Sequence, residues 1–220
     1  MDSTLSGVEG IDFLAARRGP EVAAEVAAMT ERAMQGAIPL DAVYGERMAR
    51  VRPGRDDLAA LATAYRDALA PGAESAVARL RAAGVYVAIV SGGLRQAIVP
   101  VARMLGLTLV DVHAVDVVTD GGGQYVGYDA GSPLGTQAGK HAVVREVLAA
   151  RGAAAHPALA VGDGSTDVSM RGDGACAAFA AYTGFTHRDA VVAQADHVLA
   201  DFDALVALVL DVRPDGGEGA

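Results

Sequence analysis

The sequence predicts an α/β protein in which helices cover a parallel β-sheet, and three observations support this fold class. Short apolar runs typical of buried strands occur at 85–90 and at 159–161. Segments of helical length separate such runs, and strand–helix alternation favours a parallel sheet. The third observation is the stretch 11–70, in which apolar residues recur at helical spacing. We therefore expect a parallel-sheet core with an all-helical insertion near its start.

Prolines and glycines divide the helical stretch into separate helices. Pro20 and Pro39 mark two helix starts, because proline fits the first turn of a helix. Pro53-Gly54 marks a break, after which an apolar stripe runs to Tyr65. Pro71-Gly72 ends the stretch.

Strands and helices alternate after that point. The run 85–90 is predicted to be a buried strand that ends at Ser91-Gly92-Gly93. The remaining predicted elements are one or two strands in 107–118, a glycine-rich hairpin at 119–128, a helix at 140–151, and strands at 159–161, 175–180 and 197–199.

Composition excludes several classes of function. A net charge of −9 and a pI near 4.9 argue against nucleic acid as a partner. No apolar run approaches the ~18 residues of a membrane span, and the N-terminus as given does not have the pattern of a signal peptide. The single cysteine, Cys176, rules out an internal disulfide and is expected to be a packed thiol. These features indicate a cytoplasmic protein.

Four segments with polar or glycine-rich chemistry each fall at a predicted strand end or helix start. They are Asp2-Ser3-Thr4, Ser91-Gly92-Gly93, Lys140 and Gly162–Asp167. Each segment alone has an ordinary explanation, such as a helix cap, a turn or a solvated lysine. All four in this order, with a helical insertion between the first two, form a much more specific pattern.

The pattern resembles the phosphoserine phosphatase family of the haloacid dehalogenase superfamily. Glu9-Gly10-Ile11-Asp12, Ala33-Met34-Gln35-Gly36 and Arg47 extend the resemblance over nearly the whole chain. The resemblance implies a Rossmann-like parallel sheet with a helical cap. Residues 1–10 and 71–213 would form the core, 11–70 the cap, and 214–220 a disordered tail.

The resemblance also implies a role for each motif residue that would act on the phosphate. Asp2 would protonate the leaving serine oxygen and then act as the base for the attacking water. Lys140, the Ser91 hydroxyl and the Gly92 amide would bind phosphate oxygens. Thr166 stands where many relatives have asparagine, and its hydroxyl is expected to make a similar polar contact.

A Mg²⁺ ion is the implied cofactor. Asp163 offers a hard oxygen ligand, and Asp167 can reach the same site directly or through water. The backbone carbonyl of Asp2 would face the metal. The five histidines match none of the motif positions and are not expected to bind a metal.

The implied substrate is O-phospho-L-serine, which carries one carboxylate and one ammonium group. Arg47 would pair with the carboxylate and Glu9 with the ammonium. Met34 and Leu40 would form an apolar wall. Without the resemblance, Arg47 is better interpreted as an exposed helix arginine paired with a neighbouring acid.

The sequence departs from the family pattern at the nucleophile. The family motif Asp-x-Asp-Ser-Thr matches Met1 at x and Asp2 at the second aspartate, so the nucleophilic aspartate would precede Met1. We expect that residue to end a short apolar strand in the centre of the sheet, and without that strand we expect two sheet halves. The alternatives are an inactive binding or regulatory module, and a phosphatase for another small phosphomonoester.

Overall fold

The computed structural model describes residues 1–34, 40–152 and 157–211. The α-helices in these ranges are Gly10–Arg17 (α1), Pro20–Met34 (α2), Leu40–Val51 (α3), Arg55–Asp67 (α4), Ala73–Ala82 (α5), Arg95–Met104 (α6), Gly139–Ala150 (α7), Ser165–Val168 (α8), Asp189–Val192 (α9) and Phe202–Asp211 (α10). The β-strands are Ile89–Leu94 (β1), Val112–Val115 (β2), Val117–Thr119 (β3), Tyr125–Tyr128 (β4), Leu159–Gly162 (β5), Ala178–Tyr182 (β6) and His197–Leu199 (β7). Short 3₁₀-helices lie at Leu109–Asp111, Pro133–Gly135 and Ser169–Gly174.

The predicted helical stretch contains the four helices α1 to α4. Helix α2 begins at Pro20, as predicted, because the missing amide of proline needs no partner in the first turn. Pro39 lies outside the described residues, and α3 begins at the next residue. The apolar stripe of α4, which ends at Tyr65, is buried. Within the described ranges, no helix is both long and apolar enough to cross a lipid bilayer.

The described parallel strands form two separate sheets. β1 pairs with β2, and β5, β6 and β7 form the second sheet in that order. The α/β fold and the two sheet halves were both predicted. The glycine-rich hairpin is confirmed as the antiparallel pair of β3 and β4.

The first predicted strand is placed too early by the sequence. The strand β1 covers Ile89–Leu94, so the predicted loop Ser91-Gly92-Gly93 is part of it. Its ladder partners are at Ile89, Val90 and Leu94, and the register shifts between Val90 and Leu94. Residues 85–88 lie outside the assigned strands. The physical reason is that strand structure needs a hydrogen-bonded neighbour, and β2 pairs with 89–94 only.

The predicted strand at 175–180 is also shifted, since β6 covers Ala178–Tyr182. The amide of Cys176 donates to the carbonyl of Met170, at 2.8 Å, which ties the start of the run to the preceding 3₁₀-helix instead of to the sheet. Cys176 is buried, and burial raises the pKa of its thiol to about 11. The prediction of a packed thiol is confirmed.

The two sheets share one packed interior. Val90 of β1 packs against the apolar cluster that contains Ala160 of β5. Met1 belongs to the largest core cluster, together with residues of α1, α4 and α6. Met1 is therefore buried inside the fold, and Thr4 contacts Asp163, the residue that follows β5.

Candidate active site

The carboxylate of Asp2 is held by two hydrogen bonds from the helical segment. The Tyr65 hydroxyl in α4 donates to Oδ1 at 2.6 Å, and the Gly10 amide at the start of α1 donates to Oδ2 at 3.0 Å. Burial, and next to it the charge of Asp2, raises the pKa of Tyr65 well above its ordinary value. The phenol is thus a neutral donor, and it fixes the orientation of the Asp2 carboxylate.

Each of the two residues after Asp2 donates a hydrogen bond to the carboxylate of a predicted site residue. Ser3 has a left-handed backbone, with φ of 49°, and its hydroxyl donates to Glu9 at 2.6 Å. The hydroxyl of Thr4 donates to the carboxylate of Asp163 at 3.0 Å. The segment that begins at Asp2 is therefore joined to the end of β5.

Asp163 follows β5 and is buried. Besides Thr4, its carboxylate contacts the guanidinium of Arg188, with Nη2 3.3 Å from Oδ2. The positive charge of Arg188 compensates the buried negative charge of Asp163, which would otherwise be costly.

Lys140 and Asp167 form a second compensated pair. The Lys140 ammonium, at the start of α7, donates to Oδ1 of Asp167 at 2.6 Å. The Gly164 amide donates to Oδ2 at 3.0 Å, so the carboxylate also caps the start of α8. Thr166 lies in α8, just before Asp167, and is half-buried.

Ser91 and Gly92 lie within β1 and not after it. The buried Ser91 hydroxyl accepts a hydrogen bond from the Gly93 amide at 3.0 Å, which leaves its own hydrogen free to donate. The Gly92 carbonyl accepts from the Tyr44 hydroxyl of α3 at 2.8 Å. A Cβ at position 92 would lie 2.9 Å from the carbonyl oxygen of Leu134, so the close backbone approach requires glycine.

The pKa of the α-amino group of Met1 is affected by the charges of four of these side chains. Burial lowers the pKa of this amine, the charges of Asp2, Asp167 and Asp163 raise it, and the charge of Lys140 lowers it further. The charges of three predicted metal or acid–base carboxylates and of the predicted phosphate lysine therefore all act on this one amine.

Arg47 in α3 pairs with a neighbouring acid, as the interpretation without the family resemblance predicts, but its side chain is mostly buried and not exposed. Its Nη2 is 3.0 Å from Oδ1 of Asp12, while its side chain is 14% exposed. Its Nε is buried and has no hydrogen-bond partner among the residues that the structure describes. The side chains of Met34 and Leu40, the predicted apolar wall, lie outside what the structure describes.

The predicted metal ligands are not arranged as a ligand cluster. In the described part of the chain, no group of three or more acidic, histidine or cysteine side chains is placed to hold a metal ion. Asp2, Asp163 and Asp167 each have separate protein partners. The donor chemistry nonetheless fits Mg²⁺, because Asp163 and Asp167 are buried carboxylates that offer hard oxygen ligands.

The motif analysis did not predict the contact of Thr4 with Asp163, and it did not identify Tyr65 or Arg188 as residues of the site. Tyr65 has the helical spacing of a core residue, so its position in the apolar stripe predicts packing and not the contact that its hydroxyl makes. Arg188 follows no motif in the sequence. A polar tip on an otherwise apolar stripe is the one signal that could have identified Tyr65.

Comparisons with known proteins identify the family of the chain. Residues 1–172 match the model of the haloacid dehalogenase-like hydrolase family. The chain is 33% identical over 206 residues to the chloroplastic phosphoserine phosphatase of Arabidopsis thaliana, which covers 94% of this chain and 68% of that protein. It is 35% identical over 185 residues to human phosphoserine phosphatase, covering 84% of this chain and 78% of the human protein.

The fold is also similar to that of a solved structure. A phosphoserine phosphatase with an analogue of its phospho-aspartyl intermediate superimposes with a TM-score of 0.75 at 25% identity, over 96% of this chain and 95% of that one.

Proposed function

Because the chain belongs to the haloacid dehalogenase-like hydrolase family, we propose that it is a phosphatase that hydrolyses O-phospho-L-serine to L-serine and phosphate. The observation that carries the proposal is that the predicted motif residues meet: Thr4, two residues after Asp2, donates to Asp163, and Lys140 donates to Asp167. The relatives named as phosphoserine phosphatases support the choice of substrate.

The first step needs a carboxylate that attacks phosphorus. We propose that this carboxylate belongs to an aspartate immediately before Met1, the position that the motif Asp-x-Asp-Ser-Thr gives to the nucleophile. As its bond to phosphorus forms, the bond between phosphorus and the serine oxygen breaks. Asp2 gives its proton to the departing oxygen, and then removes a proton from the water that hydrolyses the aspartyl-phosphate.

The chain's own donors would bind the phosphate group. The hydroxyl hydrogen of Ser91 is free to donate, and the Gly92 backbone can approach closely. Lys140 supplies positive charge, exchanging its contact with Asp167 for the phosphate oxygens. Thr166 adds a hydroxyl beside this group.

Mg²⁺ is the proposed cofactor. Asp163, Asp167 and the backbone carbonyl of Asp2 would hold it, and when bound it would offset negative charge on the transferred phosphoryl group. The cations Lys140 and Arg188 now compensate the two buried carboxylates. Both side chains would then be available to the substrate phosphate.

The helical segment would select the substrate. Arg47 would bind the carboxylate of phosphoserine, and its unpartnered Nε supports this role because a buried donor without an acceptor is costly. Glu9 would bind the ammonium. Met34 and Leu40 remain proposed for the apolar wall.

We also propose that residues 11–70 act as a cap on a core formed by 1–10 and 71–213. Two contacts from the helices to the site support this division: Tyr44 donates to Gly92, and Tyr65 donates to Asp2. The tail 214–220 lies outside the described residues. A single buried thiol suits a reducing compartment, and we infer the cytoplasm.

The test compares three chains: the sequence as given, the same sequence extended by a short apolar strand that ends in aspartate, and a matched extension that ends in asparagine. Release of phosphate from O-phospho-L-serine is measured with and without Mg²⁺. We expect Mg²⁺-dependent turnover with the aspartate extension and a loss of roughly 10³-fold or more with the asparagine extension. Equal turnover of all three chains would refute the assigned nucleophile, and absence of turnover in all of them would refute the proposed function.

A further inference from the structure

Resting on the proposed function, we propose that Tyr65 is a positioning residue, which aims the acid–base carboxylate of Asp2 at the oxygen of the leaving serine. Tyr65 is fully buried in α4, and its hydroxyl donates to Oδ1 of Asp2 at 2.6 Å. Tyr65 lies in the proposed cap, and Asp2, 63 positions earlier in the sequence, lies in the catalytic segment, so the contact joins the two.

The Asp2 carboxylate is held at both oxygens. While Tyr65 holds Oδ1, the Gly10 amide donates to Oδ2 at 3.0 Å. A carboxylate with one donor can still pivot about that single hydrogen bond, whereas two donors on separate helices define the plane of the group. Each oxygen keeps a further lone pair for the proton that is transferred.

Gly10 is shaped for this contact. A Cβ at position 10 would lie 2.2 Å from the Tyr65 hydroxyl oxygen and 3.4 Å from Leu61. The tyrosine ring is fully buried and has little room to move away. The absent side chain at Gly10 therefore provides the space that the hydroxyl occupies, and an alanine there would displace it.

The position of Asp2 matters most when the leaving group is poor. An alkoxide such as that of serine needs a proton as it departs, and general acid–base catalysis contributes roughly 10²–10⁴-fold. A p-nitrophenolate leaves without such help. Misplacing Asp2 should therefore slow cleavage of phosphoserine much more than cleavage of p-nitrophenyl phosphate.

The experiment measures kcat/KM for both substrates with Tyr65→Phe in whichever form of the chain, given or extended, hydrolyses phosphoserine. The value of kcat/KM reports the steps up to departure of the first product, so it isolates the leaving group. We expect a fall of about tenfold to a hundredfold with phosphoserine, and a change of less than about threefold with p-nitrophenyl phosphate, within the range assigned to general acid catalysis.

Tyr182→Phe is the matched control, because it removes the hydroxyl of another buried tyrosine that packs against Phe185 and Phe202, in a different cluster. It should leave both values unchanged. Gly10→Ala should reproduce the selective loss of Tyr65→Phe without altering the tyrosine. Thermal melting of each variant checks that it remains folded.

Equal falls with both substrates would show a merely structural role for Tyr65 and would overturn the inference. Unchanged values with both substrates would overturn it as well. If no form of the wild-type chain hydrolyses phosphoserine, the proposed function and the inference both fail. If the wild-type chain is active but Tyr65→Phe causes no selective loss, only the inference fails, so the two failures are distinguishable.

Discussion

Arg47 shows how one side chain can satisfy two interpretations at once. It forms an ion pair with Asp12, as a surface arginine would, yet its side chain is 14% exposed and its Nε has no partner. Asp12 is itself 46% exposed, so this pair alone contributes little to stability. The buried Nε without a partner among the described residues supports the proposal that a substrate carboxylate completes the hydrogen bonds of Arg47.

Replacing Arg47 by alanine should raise KM for O-phospho-L-serine by about tenfold or more, since a hydrogen bond to a charged group contributes about 1.5–3 kcal/mol. The KM for p-nitrophenyl phosphate, which has no carboxylate, should change by less than about twofold. Steady-state kinetics of an active form of the chain measures both values.

Arg50→Ala provides the control for Arg47, since Arg50 lies on the same helix and pairs with Glu25 on the surface. It should leave KM for both substrates unchanged. A similar rise for both substrates with Arg47→Ala would contradict the assignment of Arg47 to the substrate carboxylate.

At the scale of elements, the start of α4 determines where Tyr65 lies. The carboxylate of Asp57 accepts a hydrogen bond from the Gly54 amide. It also pairs with Arg17 in the last turn of α1 and with Arg18 just after that helix. Burial would raise the pKa of Asp57, but hydrogen bonds from Arg18 and the Gly54 amide, and the Arg18 charge, outweigh burial and lower it. The two helices that hold the Asp2 carboxylate are therefore joined through Asp57.

Asp57→Ala should lower the free energy of unfolding by about 1 kcal/mol at pH 7, the usual loss for a helix cap. Because the folded-state pKa is lowered, this stabilisation is present above the ordinary pKa of about 4 and is lost as the pH falls through the folded value. Urea unfolding at pH 7 and at pH 3 should therefore show a smaller difference between wild type and variant at pH 3.

Asp67→Ala at the other end of α4 is the control, since Asp67 is 62% exposed and pairs with the adjacent Arg66 on the surface. It should change stability by less than about 0.5 kcal/mol at either pH. A difference for Asp57→Ala that grows toward acid pH would contradict the role given to this carboxylate.

At the scale of the whole molecule, the division of the parallel strands into two sheets has an energetic consequence. β1 and β5 each have one hydrogen-bonded strand neighbour among the described residues. Residues 85–88, which precede β1, are outside the assigned strands although their apolar pattern predicts one. A strand between β1 and β5 would give both edges a second neighbour and would extend β1 toward its N-terminal side.

An apolar strand added before Met1 should raise the free energy of unfolding by about 3 kcal/mol or more, since each net hydrogen bond contributes about 0.5–1.5 kcal/mol. The asparagine-ended extension is suitable for this measurement because it has no nucleophile. Urea unfolding measures the change, and an extension of the same length made of glycine and serine is the control. Equal stability of the two extensions would contradict a strand position between the sheets.

Local patterns were sufficient for the elements and for the motif positions. Helix α2 begins at Pro20, and β5 is followed by Gly162-Asp163, because proline placement and apolar runs depend on near neighbours in the sequence. The limits of β1 and β6 were not predictable in this way. Strand limits depend on pairing with distant segments, and periodicity contains no information about which partner is present.

The sequence by itself determined the α/β class, the helical segment and the order of the polar motifs, since each of these is encoded by spacing over a few residues. Only the tertiary structure decided which groups meet: Thr4 with Asp163, 159 positions away, Tyr65 with Asp2, and Arg188 with Asp163. The physical reason is that buried polar atoms must find partners after the chain has packed, and packing brings together residues whose separation in sequence carries no local signal.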